Sequence, residues 1–128
     1  MNTYTLTIET SEGGHLWGRA LIDDNLIVES AANQEELEAN LKQLIQQFHG
    51  IDPDTIVFDA EYDLEAFFQR FDYLKITGIA REAEINESLM RQYATGKKYP
   101  GKKQLERIEQ AVRKLGQILS NVNLVQPA

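Results

Sequence analysis

The sequence contains no cysteine and only three prolines in 128 residues. Disulfide bonds and thiolate metal sites are therefore excluded, which fits a reducing compartment. No stretch approaches the roughly 20 apolar residues that a membrane-spanning helix needs. The residues that follow Met1 also lack the basic stretch and apolar core of a secretory signal. We therefore expect a cytoplasmic protein with no membrane association.

Basic residues are scarce in the first half of the chain. Residues 1–63 hold thirteen acids and only two bases, Arg19 and Lys42, so their formal charge is −11. Residues 64–128 hold seven acids and eleven bases, which gives +4. Such asymmetry indicates two surfaces with different partners. The alternative is that the acidic faces only keep the protein soluble.

The first half has the pattern of a small sheet covered by one helix. Alternation of apolar and polar residues predicts strands over 3–9, 16–22 and 26–30, and a short fourth strand follows over 55–58. Asn33 and Glu36 have the spacing of a helix start, and Gly50 marks the helix end. The intervening helix carries an apolar stripe, formed by Leu37, Leu41, Leu44, Ile45 and Phe48.

The second half is helical throughout. The acidic segment 60–63 has the character of a linker, so we predict one domain over 1–62 and a second over 63–128. The predicted fold class is therefore α+β: a small antiparallel sheet with one covering helix, followed by an all-helical domain.

Residues 76–96 have the pattern of a helix-turn-helix. Ala80 is small enough for a close helix contact, Ile85 is placed to fill the space under the turn, and Asn86 can cap the second helix. Met90 and Tyr93 are expected to face the core, which leaves the side chains on the other side pointing outward together: Glu87, Ser88, Arg91 and Gln92.

This segment, within about residues 64–119, resembles the phage-repressor (Cro/C1) type of DNA-binding domain, including its Gly96-Lys97-Lys98-Tyr99-Pro100 exit. The position before Ile85, usually glycine in that family, is Glu84, so a positive φ is expected at a non-glycine residue. The resemblance implies that Ser88, Arg91 and Gln92 read bases. It also implies that Glu87 accepts from cytosine or caps the helix. The resemblance further implies that phosphate groups are bound by Asn86, Thr95, Lys97 and Lys98. Lys102 and Lys103 are expected to add two more phosphate contacts.

The first half resembles the HicB family of antitoxins over about residues 3–60. The resemblance lies in the opening strand at residues 4–9, the Gly13-Gly14 hairpin through residue 20, and the Glu35-Glu36-Leu37 helix. The proline- and glycine-rich stretch usual after the second strand is replaced by Asp23-Asp24-Asn25. The resemblance implies a partial ribonuclease-H-like layer that sequesters a small RNA-cleaving toxin, which must be basic to bind RNA.

No enzyme, cofactor or metal site is predicted, because the acids lie in an expected turn and linker, His15 lies in the hairpin, and His49 suits the end of a helix. The resulting hypothesis is an oligomeric antitoxin that represses its own promoter by binding operator DNA and neutralises a toxin. The alternatives are a plain helix-turn-helix regulator, whose first half binds a ligand or mediates oligomerisation, and a protein-interaction module. The last helix, with Leu105 to Leu119, is expected either to form a dimer surface or to close the domain core.

Overall fold

Two units with separate cores make up the protein, Met1–Arg70 and Phe71–Ala128, in a computed structural model that describes all 128 residues. The chain contains four strands and five α-helices, so the α+β class is confirmed. None of the helices combines the length and the apolar character that crossing a membrane would require.

The first unit contains a mixed sheet. Its strands are β1 (Asn2–Thr10), β2 (Leu16–Ile22), β3 (Asn25–Ala31) and β4 (Ile56–Tyr62), in the order β3-β2-β1-β4. Strands β1, β2 and β3 form the predicted antiparallel meander, but β4 runs parallel to β1. The prediction of an antiparallel sheet is therefore wrong. A helix separates β3 from β4 and returns the chain to the end of the sheet where β1 begins, and this crossover produces a parallel pair.

Helix α1 (Gln34–His49) covers one face of this sheet. The Asn33 side-chain oxygen accepts a hydrogen bond from the Glu36 amide at 2.9 Å, and Gly50 ends the helix in a left-handed conformation, as predicted. A Cβ on Gly18 of β2 would lie 2.7 Å from the Leu37 side chain, so a glycine there lets α1 approach the sheet. The fully buried side chains of this core are Leu6, Ile8, Ile22, Leu37, Leu41 and Ile45.

One member of the predicted α1 stripe is largely exposed. Phe48 is 69% exposed, although it has the same orientation around the helix as the buried leucines. It lies in the last turn of α1, where the rest of the unit does not cover it.

The predicted boundary near residue 62 is eight residues too early. Residues 60–62 belong to β4, and Asp63 begins helix α2 (Leu64–Arg70), accepting a hydrogen bond from the Ala66 amide at 2.8 Å. The second carboxylate oxygen of Asp63 accepts from the amide of Thr10 in β1 at 3.3 Å, and Ala66 joins the core of the sheet. Helix α2 therefore belongs to the first unit. The acidic segment 60–63 is part of the folded sheet and the start of α2, and is not a linker.

An ion pair joins α2 to α1. The Arg70 guanidinium lies 2.7 Å from the Glu35 carboxylate, and it holds the pKa of Glu35 below its ordinary value. With the boundary after Arg70, the first unit contains fourteen acids and three bases, a charge of −11, and the second contains six acids and ten bases, a charge of +4. The separation of charge seen in the sequence therefore coincides with the division into units.

The second unit consists of α3 (Ile76–Ala83), α4 (Glu87–Ala94) and α5 (Lys102–Ser120). Its core is formed by small and apolar residues of these helices and of the α3–α4 turn. The buried residues are Ile79, Ala80, Ala83, Ile85, Met90, Tyr93, Ala94, Ile108 and Ala111. Helix α3 is in contact with both α4 and α5.

Candidate nucleic-acid interface and open sheet face

The turn between α3 and α4 has the geometry that the sequence predicts. Ala80 is completely buried, and its carbonyl oxygen accepts a hydrogen bond from the amide of Ile85 at 2.9 Å. Glu84 ends α3 with a φ of 56°, in the left-handed region that a side chain adopts at some cost. Ile85 is buried directly after it, so the turn is anchored on both sides.

Two basic side chains of α5 connect that helix to α3 and the turn. The Arg107 guanidinium donates a hydrogen bond to the Glu84 carbonyl oxygen at 2.9 Å. Lys114 lies 2.7 Å from the carboxylate of Glu82 in α3, and this contact raises the pKa of Lys114. Neither contact is predictable from the sequence, because the partners are more than twenty residues apart and no local pattern connects them.

The start of α4 is capped by Asn86, as predicted. Its side-chain oxygen accepts hydrogen bonds from the amides of Ser88 at 2.9 Å and Leu89 at 3.2 Å. These bonds satisfy two of the free amides at the helix start and fix the first turn. The side-chain amide group of Asn86 is exposed and can still donate to a ligand.

The outer surface of α4 presents three of the four predicted side chains together. Met90 and Tyr93 are buried on the inner side, as expected, whereas Glu87, Ser88 and Arg91 are exposed. Gln92 differs from the prediction that it points outward, because it is half-buried and its side-chain oxygen is shielded from solvent without a hydrogen-bond partner. Its suggested contact with a base stays a prediction.

The segment after α4 folds back onto the end of that helix. Gly96 adopts a φ of 77°, and the amides of Lys97 and Lys98 donate to the Gln92 carbonyl oxygen at 2.9 and 3.2 Å. The Thr95 hydroxyl donates to the Arg91 carbonyl oxygen at 2.9 Å. This arrangement holds the two exposed lysine side chains close to the C-terminal end of α4.

Eight of the ten bases of the second unit lie on α4, in the segment after it or on α5, and they fall into two groups. The other two, Lys75 and Arg81, lie at the start and in the last turn of α3 and are exposed. Arg107, Arg113 and Lys114 form ion pairs with nearby glutamates. The exposed bases on α4, in the segment after it and at the start of α5 make no ion pair within the protein: Arg91, Lys97, Lys98, Lys102 and Lys103. Unpaired exposed cations beside a capped helix are available to bind phosphate groups.

The face of the sheet opposite α1, which we call the open face, carries an apolar strip. Leu21 of β2 lies beside Leu26 of β3, and Val28 and Trp17 continue the strip along the same two strands. Between 47 and 61% of each of these four side chains is exposed. Trp17 therefore lies on the solvent-facing side of the sheet.

Acidic side chains border the apolar strip. Glu9 of β1 forms an ion pair with Arg19 of β2, and β4 contributes Asp59 and Glu61 to the same face. Arg19 is thus the one base among the four charged residues of the open face. The face combines an apolar strip with a surplus of negative charge.

Comparisons with models of known protein families, with curated proteins and with solved structures give no match to this chain. The structure contains no group of three or more side chains arranged to hold a metal ion.

Replacing Glu84 with glycine tests the left-handed turn. We expect Glu84→Gly to stabilise the second unit by about 0.5–1 kcal/mol, because glycine adopts a positive φ without a Cβ clash. Glu106→Gly, inside α5, is the matched control and should destabilise the unit by about 1 kcal/mol. Amide hydrogen exchange at Met90 and Tyr93 in the full chain measures both changes. Equal destabilisation by the two variants would contradict the geometry of the turn.

Proposed function

We propose that this protein is a DNA-binding transcriptional regulator of the antitoxin type, which represses its own promoter. The second unit binds operator DNA through a helix-turn-helix formed by α3 and α4. The first unit neutralises a small, basic, RNA-cleaving toxin. The observation that carries the DNA-binding part is the outer face of α4, where an exposed polar surface is flanked by cations that have no partner within the protein.

The proposed complex places the N-terminal end of α4 in the major groove. Ser88 and Arg91 then reach base edges, and the arginine can donate two hydrogen bonds to a guanine. Glu87 can accept from a cytosine amino group, whereas Gln92 must first change its side-chain conformation. Phosphate groups are bound at the two ends of the helix, by Asn86 at the start and by the exit residues Thr95, Lys97 and Lys98.

The first unit supports the antitoxin part by its topology and its charge. We take the β3-β2-β1-β4 sheet, with a helix on one face, as the partial ribonuclease-H-like layer that the resemblance implies. A charge of −11 attracts a basic RNA-binding protein and speeds its association. The open face offers that partner an apolar strip to bury and carboxylates to pair with its basic side chains.

The alternative is a helix-turn-helix regulator whose first unit binds a small ligand or mediates oligomerisation. The grooves of this unit are open to solvent, and one of about 640 Å³ is lined mainly by amides of α1, including Asn40, Gln43 and Gln47. Small-molecule sites are usually enclosed and mostly apolar. The shape of these grooves therefore favours a protein partner over a ligand.

DNA binding is tested with a duplex that spans the region directly upstream of the protein's own reading frame. We expect Arg91→Ala to weaken binding by roughly 10- to 100-fold, because a bidentate contact to a base is lost. Lys97→Ala should weaken binding to all sequences and lower the dependence on salt by about one released counterion. Fluorescence anisotropy over a series of salt concentrations measures both effects.

Arg113→Ala is the matched control, because this arginine is exposed on α5 and is paired with Glu109. The Arg113→Ala variant should bind the duplex with the same affinity as the wild type. Absence of salt-sensitive binding by the wild-type protein would overturn the proposal and leave the protein-interaction module. Equal losses in Arg91→Ala and Arg113→Ala would show that α4 is not the contact surface.

The antitoxin role is tested by isolating the protein from its host and identifying what binds it. We expect a short basic protein in a ratio near one to one, encoded beside this gene. The captured protein is then produced by itself and titrated calorimetrically with the full chain. Reversing the two charges of β4 with Asp59→Lys and Glu61→Lys should weaken the complex at least about tenfold.

The control for this experiment is the double variant Glu36→Lys and Asp54→Lys. It makes the same change in net charge, but on α1 and in the turn after it. Unchanged binding by the control and weakened binding by the β4 variant would support the open face. A neutral or acidic partner, or equal losses in both variants, would count against the proposal, and no partner at all would favour the plain regulator.

A further inference from the structure

Helix α5 carries a regular apolar seam that continues past the core of its own unit. The spacing of its apolar residues alternates between three and four, which is the period at which two helices pack along a common line. The seam consists of Leu105, Ile108, Val112, Leu115, Leu119 and Val122. Val122 follows the helix end at Ser120, and its amide still donates to the Leu119 carbonyl oxygen at 3.2 Å.

The seam is buried only around its middle, because Leu105 at its start is 44% exposed and Val112 and Leu115 are half-buried. Ile108 is 2% exposed, whereas Leu119 and Val122 at the other end are 63% and 53% exposed. Ile118, beside the seam, is 51% exposed. We call Leu115–Val122 the overhang, because this stretch of α5 and the turn after it extends beyond the residues that its own core covers.

The composition of the overhang is poor for a helix without a partner. Gly116 is its second residue and costs about 1 kcal/mol relative to alanine in a helix. Helical turns in water gain most of their stability from packing of an apolar face, not from intrinsic propensity. A packed partner would therefore stabilise the overhang and remove its apolar surface from water.

We propose that the overhang is the interface with a second copy of this chain. A seam of this period is complementary to itself, so two copies related by a twofold axis can interlock the same residues. Gly116 and Ile118, the residues that flank the seam, carry no charge, and Gly116 has open space around its Cα that allows a close approach. The nearest bases, Arg113 and Lys114, are already paired with glutamates of their own chain.

The contact between two overhangs is short. Leu119 and Val122 are the two seam residues of the overhang that are more than half exposed, so we expect a weak dimer with a dissociation constant in the micromolar range. Leu124 and Val125, which are 92% and 85% exposed, add apolar surface next to the overhang. A dimer formed through the overhang would let two copies of the second unit bind two operator half-sites. The biological role of this dimer rests on the proposed function, whereas the interface itself does not.

Sedimentation equilibrium of the full chain tests the dimer without DNA. We expect the wild type to change from 14.6 kDa to twice that mass as its concentration rises through the micromolar range. Leu119→Lys should weaken dimerisation at least about tenfold, because it places a charge in the seam. Gln117→Lys adds the same charge on the other side of α5 and should dimerise like the wild type. A monomeric wild type, or equal behaviour of both variants, would overturn the proposal.

Cross-linking gives an independent measurement, because the natural chain has no cysteine. Leu119 lies near the middle of the exposed part of the seam, so it meets its own counterpart whether the two helices run parallel or antiparallel. Oxidation should therefore link Leu119→Cys into a dimer and leave Gln117→Cys monomeric. Absence of a Leu119→Cys dimer, or equal yields for both variants, would contradict the interface.

The proposed DNA-binding function and the proposed dimer interface can be refuted independently of each other. A chain that dimerises but shows no salt-sensitive DNA binding would refute the proposed function and keep the interface. A chain that binds the duplex but stays monomeric, with no cross-link at position 119, would refute the interface and keep the DNA-binding function.

Discussion

The position of α4, and with it the whole candidate DNA surface, depends on one left-handed residue. Glu84 reverses the chain within a single turn, so that Ile85 enters the core and Asn86 can cap the next helix. A side chain at this φ costs free energy, which the contact from Arg107 to the Glu84 carbonyl oxygen helps to offset. Helix α5 thereby supports the α3–α4 turn directly, although it carries none of the predicted base contacts.

Charge limits where nucleic acid can bind. The first unit has a surplus of eleven negative charges, so it repels a phosphate backbone, and its open face is better suited to a basic protein. The second unit has a smaller net charge, +4, and its capacity to bind phosphate depends on which of its bases are already paired. Its C-terminal bases are used in ion pairs that hold the helices together, whereas those around α4 are free. A net charge computed for the whole chain hides this division.

Local signals in the sequence predicted most of the elements. The alternation of apolar and polar residues predicted the strands, and Asn33 and Asn86 predicted where two helices begin. The absence of glycine at position 84 predicted a positive φ at a non-glycine residue in the turn. These features depend on interactions within a few residues, and the structure confirms them.

Features that depend on distant residues were not predictable in this way. The parallel pairing of β4 requires knowledge of where α1 returns the chain. Asp63 lies in a segment with the composition of a linker. In the structure it caps α2 and also accepts a hydrogen bond from Thr10, and this second contact depends on the position of β1. The shielded position of Gln92 and the support from Arg107 likewise arise from packing between helices, which a helical period does not reveal.

Mapping the DNA contact by NMR tests the central claim most directly. An isotope-labelled full chain is titrated with the upstream duplex, and the shift of each backbone amide is followed. The account predicts that the changes concentrate in residues 86–98 and at the start of α5, with residues 2–62 unaffected. Changes centred on the sheet, or an absence of changes around α4 at low salt, would contradict it.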